Sequence, residues 1–285
     1  MSLPSTLLFC PGTRLERVAK ALATGTQHLI IDLEDAVAAG SKDAARTATL
    51  EFLRTQPRSA RPPGGCLALR INRLVTAHGV ADVHALVNTL DAAAMPDIIV
   101  LPKVESPFEL RMLARLLQDR GHPRLIALIE SAEGLEQVGA IAMATPQLAA
   151  LGFGGADLAA DLSAAFAWEP LLWARSRVVQ AAARAGIAAL DVPSLNLDDD
   201  AGLQADCERA RALGFHGKFA IHPRQLAVIR AAFLPSAAQL DFARRVIAAY
   251  HAAGGQVCEL DGGMVEEPVY RSAQRTLARA GEAPQ

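Results

Sequence analysis

The stretch HLIIDLED, residues 28–35, sets Leu29, Ile30 and Ile31 side by side and then closes on Asp32, Glu34 and Asp35. A strand with one wet face alternates apolar and polar residues. An unbroken apolar run instead suits a strand covered on both faces, as in a parallel sheet flanked by helices. Seven other runs share the pattern: TLLFCPG from residue 6, CLALRIN from 66, DIIVLPK from 97, RLIALIES from 124, QLAALGFGG from 147, IAALDVPS from 187 and KFAIHP from 218. Parallel strands need crossovers, and the intervening text has helical spacing of apolar residues in LERVAKALATG, DAARTATLEFLRTQ, SPFELRMLARLLQDRG, AEGLEQVGAIAMA, RSRVVQAAARAG and residues 198–214. Several of these end at glycine, as helix C-caps do.

Eight strand-then-helix units fit a single (β/α)8 barrel better than a doubly wound sheet, which usually has fewer strands per domain. The first strand leads into CPGTRLER with no GxGxxG fingerprint, and GFGGAD at 152–157 spaces its glycines wrongly for one. The barrel is expected over residues 1–233. Residues 234–285 carry a DGG turn and an amphipathic helix, and read as a small C-terminal helical lobe packed on a neighbouring subunit. QPRSARPPGG at 56–65 reads as a flexible connector.

A net charge of −2 over 285 residues, with Lys and Arg scattered, gives no footprint for nucleic acid or an anionic membrane surface. The N-terminus has no basic-then-apolar leader and no later segment is read as a membrane span, so a cytoplasmic protein is expected. Cys10, Cys66, Cys207 and Cys258 form no CxxC pair, which points to reduced structural thiols.

Barrel chemistry comes from the C-terminal ends of strands. There the runs place Asp32, Glu34 and Asp35, then Arg70 and Asn72, Lys103 and Glu105, Glu130, Asp157 and His222. Such a crowd of ionisable groups must be paired or bind a metal. Glu130 and Asp157 suit magnesium, which takes one or two carboxylates and leaves positions for a chelating substrate. The alternative is that each acid caps the next helix or pairs with an arginine. Arg70 either grips a substrate carboxylate with its planar fork or neutralises Glu34 and Asp35, and both readings stay open. Asp32, Glu34 and Asp35 read as residues supporting the site from behind. His222 reads as a packed or helix-start residue.

The ordered blocks LLFCPGTRLERVAKAL, DLEDAV, LRIN, VLPKVES, IESAEGL, GFGGADLAADL and GFHGKFAIHPRQ resemble the citrate lyase β-subunit and malyl-CoA lyase group of the HpcH/HpaI aldolase superfamily, over about residues 6–278. The resemblance implies a Mg²⁺ ion on Glu130 and Asp157, and Arg70 on the carboxylate of a small oxo acid. It also implies cleavage or formation of a 3-hydroxyacyl-CoA such as citryl-CoA or malyl-CoA, with a coenzyme A thioester as substrate and Arg14 and Lys20 near its phosphates. A homo-oligomer, trimer or hexamer, is implied as well. Relatives carry an Asp in the C-terminal lobe that reaches a neighbour's site, where this chain reads MVEEP and puts Glu266. Two other readings stand beside a carbon–carbon lyase: a malyl-CoA or citramalyl-CoA thioesterase, and a non-catalytic CoA-metabolite-binding subunit of a larger complex.

Overall fold

The computed structural model describes residues 3–23, 26, 28–61 and 64–281. All eight apolar runs are strands: β1 Leu8–Pro11, β2 His28–Asp32, β3 Cys66–Arg70, β4 Ile98–Leu101, β5 Arg124–Ile129, β6 Leu148–Phe153, β7 Ala188–Asp191 and β8 Gly217–Lys218. They pair in parallel in sequence order. The ring closes through Lys218 N–H to Ser5 O, Ala220 N–H to Leu7 O and Phe9 N–H to Ala220 O, at 3.0, 3.0 and 2.8 Å. The protein is therefore a (β/α)8 barrel.

The helices are α1 Leu15–Ala23, α2 Lys42–Thr55, α3 Ala77–Thr89, α4 Pro107–Leu116, α5 Ala132–Glu136, α6 Val138–Ala142, α7 Gly155–Asp161, α8 Leu172–Ala185, α9 Asp200–Leu213, α10 Gln225–Phe233, α11 Ala237–Ala252 and α12 Glu267–Arg279. Three differ from the sequence expectation. AEGLEQVGAIAMA is two helices meeting at Gln137 rather than one. A short α7 follows β6. The crossover α3 between β3 and β4 is absent from the sequence reading because Gly79 and Asp82 lie on its buried side and interrupt the apolar spacing.

Inside the barrel, Leu7, Ile30, Ala68, Val100, Ile126, Leu128, Ala150, Leu190 and Phe219 form the central core. Outside it, Asp191 accepts from Lys218 Nζ at 2.7 Å and Arg175 Nε at 3.1 Å, all three side chains buried, so β7, β8 and α8 share one charge cluster. Cys10, Cys66 and Cys207 are buried free thiols, and burial pushes them up to about 11, 12 and 12 respectively.

The connector before β3 is tethered, contrary to expectation: Arg61 pairs with Asp97 at 2.6 Å and Arg58 donates to the carbonyls of Pro96 and Gly121. Residues 62 and 63 of that connector lie outside the described residues.

The chain divides into compact units Met1–Ile229 and Arg230–Gln285, a boundary inside α10 and four residues before the one expected. The second unit holds its own core of Ala243, Val246, Ile247, Val265, Ala273 and Leu277. Its hairpin β9 Cys258–Leu260 and β10 Gly263–Val265 turns on Asp261 and Gly262, both at positive φ. Gln225–Ala252, a 28-residue stretch with an 18-residue window of mean hydropathy 1.3, is by length and composition apolar enough to cross a membrane, which the sequence expectation did not single out. The stretch is broken, since α10 ends before Pro235 and Ser236 starts α11 with a capping box. At 1.5 Å per residue, α11 spans roughly 24 Å, less than a bilayer's hydrocarbon core.

Barrel closure makes a sharp demand on Gly217, because a Cβ there would sit 2.1 Å from the Ser5 carbonyl oxygen. Gly217→Ala is expected to cost at least ~3 kcal/mol in denaturant unfolding, since backbone on both sides must shift. Gly40→Ala, where nothing lies within 4 Å, is the control expected to be near neutral.

Candidate active site

β2 and β3 run in register with Asp32 opposite Arg70, at the end of the barrel where both strands finish. Arg70 Nε and Nη2 each donate to Asp32 at 2.7 Å, a bidentate pair buried on both sides. Asp32 also accepts the backbone N–H groups of Glu34 and Ala36, so the same carboxylate shapes the loop carrying Glu34 and Asp35. Arg70 Nη1 forms ion pairs with Glu34 at 3.0 Å and Asp35 at 3.6 Å, and the guanidinium lies over the Phe9 ring. Only two of the five guanidinium N–H groups are hydrogen-bonded among the described residues, both on the side-on edge. Arg70 neutralises the acids and is itself among the residues that line the cavity.

Lys103, to which the sequence reading gave no role, ties the rest together. It follows Pro102 in a left-handed conformation, φ 50°, uncommon for a residue with a Cβ. That turn aims its backbone N–H at Glu130 Oε2, 2.7 Å away. Its ammonium donates to Glu34 at 2.6 Å and Asp35 at 3.3 Å and lies 3.8 Å from Asp157. Position at a strand end was the only sequence signal; the backbone twist that makes the residue useful has none.

Glu130 directly follows the last residue of β5 and is buried. It is no helix cap, since Ser131 caps α5. The loop after it is held by Ser131 Oγ on Glu105, which also pairs with Arg73, and by Asp161 accepting from Ala132 N–H. Room for the Glu130 side chain depends on Gly154, where a Cβ would fall 2.2 Å from Glu130 Cγ. Asp157 sits in the first turn of α7, 45% exposed, and does not cap it either, because the N-cap is Gly154. The capping alternative thus fails for both acids.

Five carboxyl groups, Asp32, Glu34, Asp35, Glu130 and Asp157, share this end with the cations Arg70 and Lys103. Burial raises Glu34, against Arg70 and Lys103. At Asp35 burial also raises, but the hydrogen bond with Glu34, Arg70 and Lys103 outweigh it and the group is lowered. Burial pushes Glu130 up to about 7 although Arg70 opposes it. Arg70 and Lys103 are raised, burial being overcome by Asp32 and Glu34 respectively. A surplus of desolvated carboxyl groups beside a cavity of about 430 Å³ fits a divalent cation. Among the described residues no three His, Cys, Asp or Glu form a ready cage. Magnesium, content with two carboxylates and water, suits the donor set.

Asp32, Asp35, Arg70, Glu130 and Asp157 are the charged residues that line the cavity, and its apolar lining includes Phe9, Leu128, Phe153, Val192, Leu195, Phe219 and Ile221. That apolar wall escaped the sequence reading, since its members are ordinary core residues until the fold brings them together. Arg14 is exposed in the turn between β1 and α1, paired with Glu16 at 3.9 Å, and Lys20 is exposed farther along α1. His222 stands outside the cavity lining and its Nδ1 accepts from Arg224 N–H. Glu266 belongs to the second unit, exposed at the N-cap of α12. Neighbouring Glu267 has both oxygens engaged, by Tyr250 and Arg271, whereas no side-chain partner of Glu266 occurs among the described residues.

The family model described as HpcH/HpaI aldolase/citrate lyase matches residues 5–223. The chain is 33% identical to a citrate lyase subunit beta of Leuconostoc mesenteroides subsp. cremoris, over 96% of this chain and 92% of that one. It is 35% identical to a (3S)-malyl-CoA thioesterase of Cereibacter sphaeroides, over 96% and 93%. Among solved structures, protein CitE of Mycobacterium tuberculosis in complex with magnesium, acetoacetate and coenzyme A is similar at 35% identity and TM-score 0.80, covering 98% of each chain.

Glu130 yields a pH prediction. Its carboxyl rises from 4.5 to about 7 in the fold, so between those values the folded protein holds a proton that the unfolded chain has released. The stabilisation is present below pH 4.5 and lost as pH climbs through 7, a loss of ~3 kcal/mol. Unfolding in magnesium-free buffer from pH 4.5 to 8 is expected to show this slope in the wild type and a shallower one in Glu130→Gln, where Glu34 is the raised carboxyl that remains. Magnesium at pH 8 is expected to restabilise the wild type only.

Proposed function

Because the chain belongs to the HpcH/HpaI aldolase/citrate lyase family, we propose that it is a magnesium-dependent carbon–carbon lyase acting between a coenzyme A thioester and a small oxo acid. The observation that carries this reading is that Glu130, Asp157 and Arg70 line one cavity, so carboxylates for a metal and a guanidinium for an oxo acid's carboxylate share one space. The related protein crystallised with magnesium, acetoacetate and coenzyme A supports the same ligand classes.

Glu130 and Asp157 hold the ion, and when bound it supplies Lewis acidity to the oxo oxygen. Arg70 orients the oxo acid through its carboxylate, while Asp32, Glu34 and Asp35 keep Arg70 in place and Lys103 steadies Glu130. In the condensing direction a base removes a proton from the carbon next to the thioester, and that carbon's electron pair forms the new bond to the oxo carbon while the carbonyl π pair moves onto its oxygen, which takes up a proton to become the hydroxyl. Cleavage is the reverse. Glu266 is the base, delivered by a neighbouring copy in a homo-oligomer, and its uncommitted carboxylate supports that choice over Glu267. Arg14 and Lys20 attract the CoA phosphates.

A thioesterase is the second reading, favoured by the 35% identical (3S)-malyl-CoA thioesterase. It uses the same residues, with water attacking the thioester carbonyl and free CoA leaving. Acyl-CoA consumed with release of acetyl-CoA and an oxo acid marks the lyase; free CoA without an oxo acid marks the thioesterase.

Glu130→Gln and Asp157→Asn are each expected to lower turnover by ~100-fold or more, because a site with two carboxylate ligands loses half of them. Activity surviving in either variant with excess EDTA overturns the metal assignment. Arg70→Lys is expected to raise the Michaelis constant for the oxo acid, an ammonium lacking the planar fork. Deuterium exchange into acetyl-CoA is expected to vanish in Glu266→Ala and to persist in Glu266→Asp; indistinguishable exchange in the wild type and both variants removes Glu266 as the base.

A further inference from the structure

Gln225 opens α10 at 2% exposure, yet it stands outside the cavity lining. Its Oε1 accepts the N–H groups of Ile221 at 2.9 Å and His222 at 3.3 Å, and its Nε2 donates to the Ser194 carbonyl at 2.9 Å. One side chain thus satisfies three backbone groups on the segments that follow β7 and β8. Those segments build the apolar wall: Val192 and Leu195 on one side, Phe219 and Ile221 on the other.

The sheet fixes Phe219 beside Asp191 but does not reach Leu195 and Ile221. Pairing of β7 with β8 ends at Asp191 with Lys218, and Phe219 N–H to Asp191 O is the last backbone bond described between them. Farther along, Arg224 and Asp198 form a second link, but their side chains are 58% and 89% exposed and such pairs contribute little. The buried amide is the firm connection. Buried hydrogen bonds hold because each broken one strands a desolvated group.

We propose that Gln225 is a positioning residue that sets the gap between the two walls, and through it the size of the apolar group a substrate lays between them. The walls carry no charge, so the ligand they suit is a 2-oxo acid whose polar end meets Arg70 and the carboxylates and whose short alkyl substituent fills the gap. The identity of that ligand rests on the function proposed above; the spacing role rests on the hydrogen bonds alone.

Two variants separate spacing from mere capping of the turn before α10. Gln225→Glu keeps an acceptor for Ile221 and His222 but loses the amide donor to Ser194; Gln225→Met removes all three bonds. In crystal structures of the ligand-free full chain Ser194 and Ile221 are expected to move apart in both variants, and hydrogen exchange at residues 221–222 is expected to speed up about tenfold in Gln225→Met alone. Condensation of acetyl-CoA with glyoxylate, pyruvate and 2-oxobutyrate is then compared with magnesium present. The variants are expected to shift the relative Michaelis constants several-fold while the turnover number stays within about twofold. An unchanged separation of Ser194 and Ile221 in Gln225→Met overturns the proposal. So does a wider separation with the wild-type order and spread of Michaelis constants retained. If the wild type condenses none of the three acids, the functional reading fails, and the crystal structures still decide the spacing role.

Discussion

The pair between Asp32 and Arg70 is the constraint on which this end of the barrel is built. Two charges removed from water are tolerated only when geometry is good and the remaining lone pairs and protons are met. Here register supplies the geometry, because the two residues are direct partners on adjacent strands. The spare capacity of each then organises its surroundings. Asp32 folds the following loop through two backbone amides, and Arg70 draws in Glu34 and Asp35. Lys103 answers the same acids from β4 and fixes Glu130 by its main chain. The result is a preorganised polar floor that owes its shape to hydrogen bonds rather than to a bound ligand.

The second half of the cavity obeys different physics. Phe9, Leu128 and Phe219 belong to or touch the central core, so the cavity is the place where barrel packing stops short. A floor of charge against a wall of hydrocarbon lowers the local dielectric and strengthens each electrostatic contact within it. Burial raises Glu130 for the same reason, and a cation competing with its proton gains from a carboxylate that water serves poorly.

The architecture was legible because its signal is repeated: eight unbroken apolar runs ending in polar residues leave few folds to choose from. Glu130, Asp157 and Arg70 were legible as neighbours for the same reason, since strand ends share a rim. What stayed hidden depends on dihedral angles and on long-range partners. Lys103 matters through a left-handed backbone, which no residue type announces. Helix α3 was missed because Asp82, buried against Asn72 and Arg46, breaks the apolar spacing that marks a helix. The connector at 56–65 reads as loose from its Pro and Gly content, whereas two arginines pin it to Asp97 and nearby carbonyls.

Cys10 lies between Phe9 and Pro11, both of which line the cavity, and its thiol is held near 11. The reactive form of cysteine is the thiolate, and at neutral pH this side chain is almost wholly in the other form. Cys10 is itself absent from the cavity lining, and alternation along β1 turns it to the face opposite Phe9, toward Arg17 of α1. Burial and the pleat of one strand thus keep the thiolate form scarce one residue away from the polar floor.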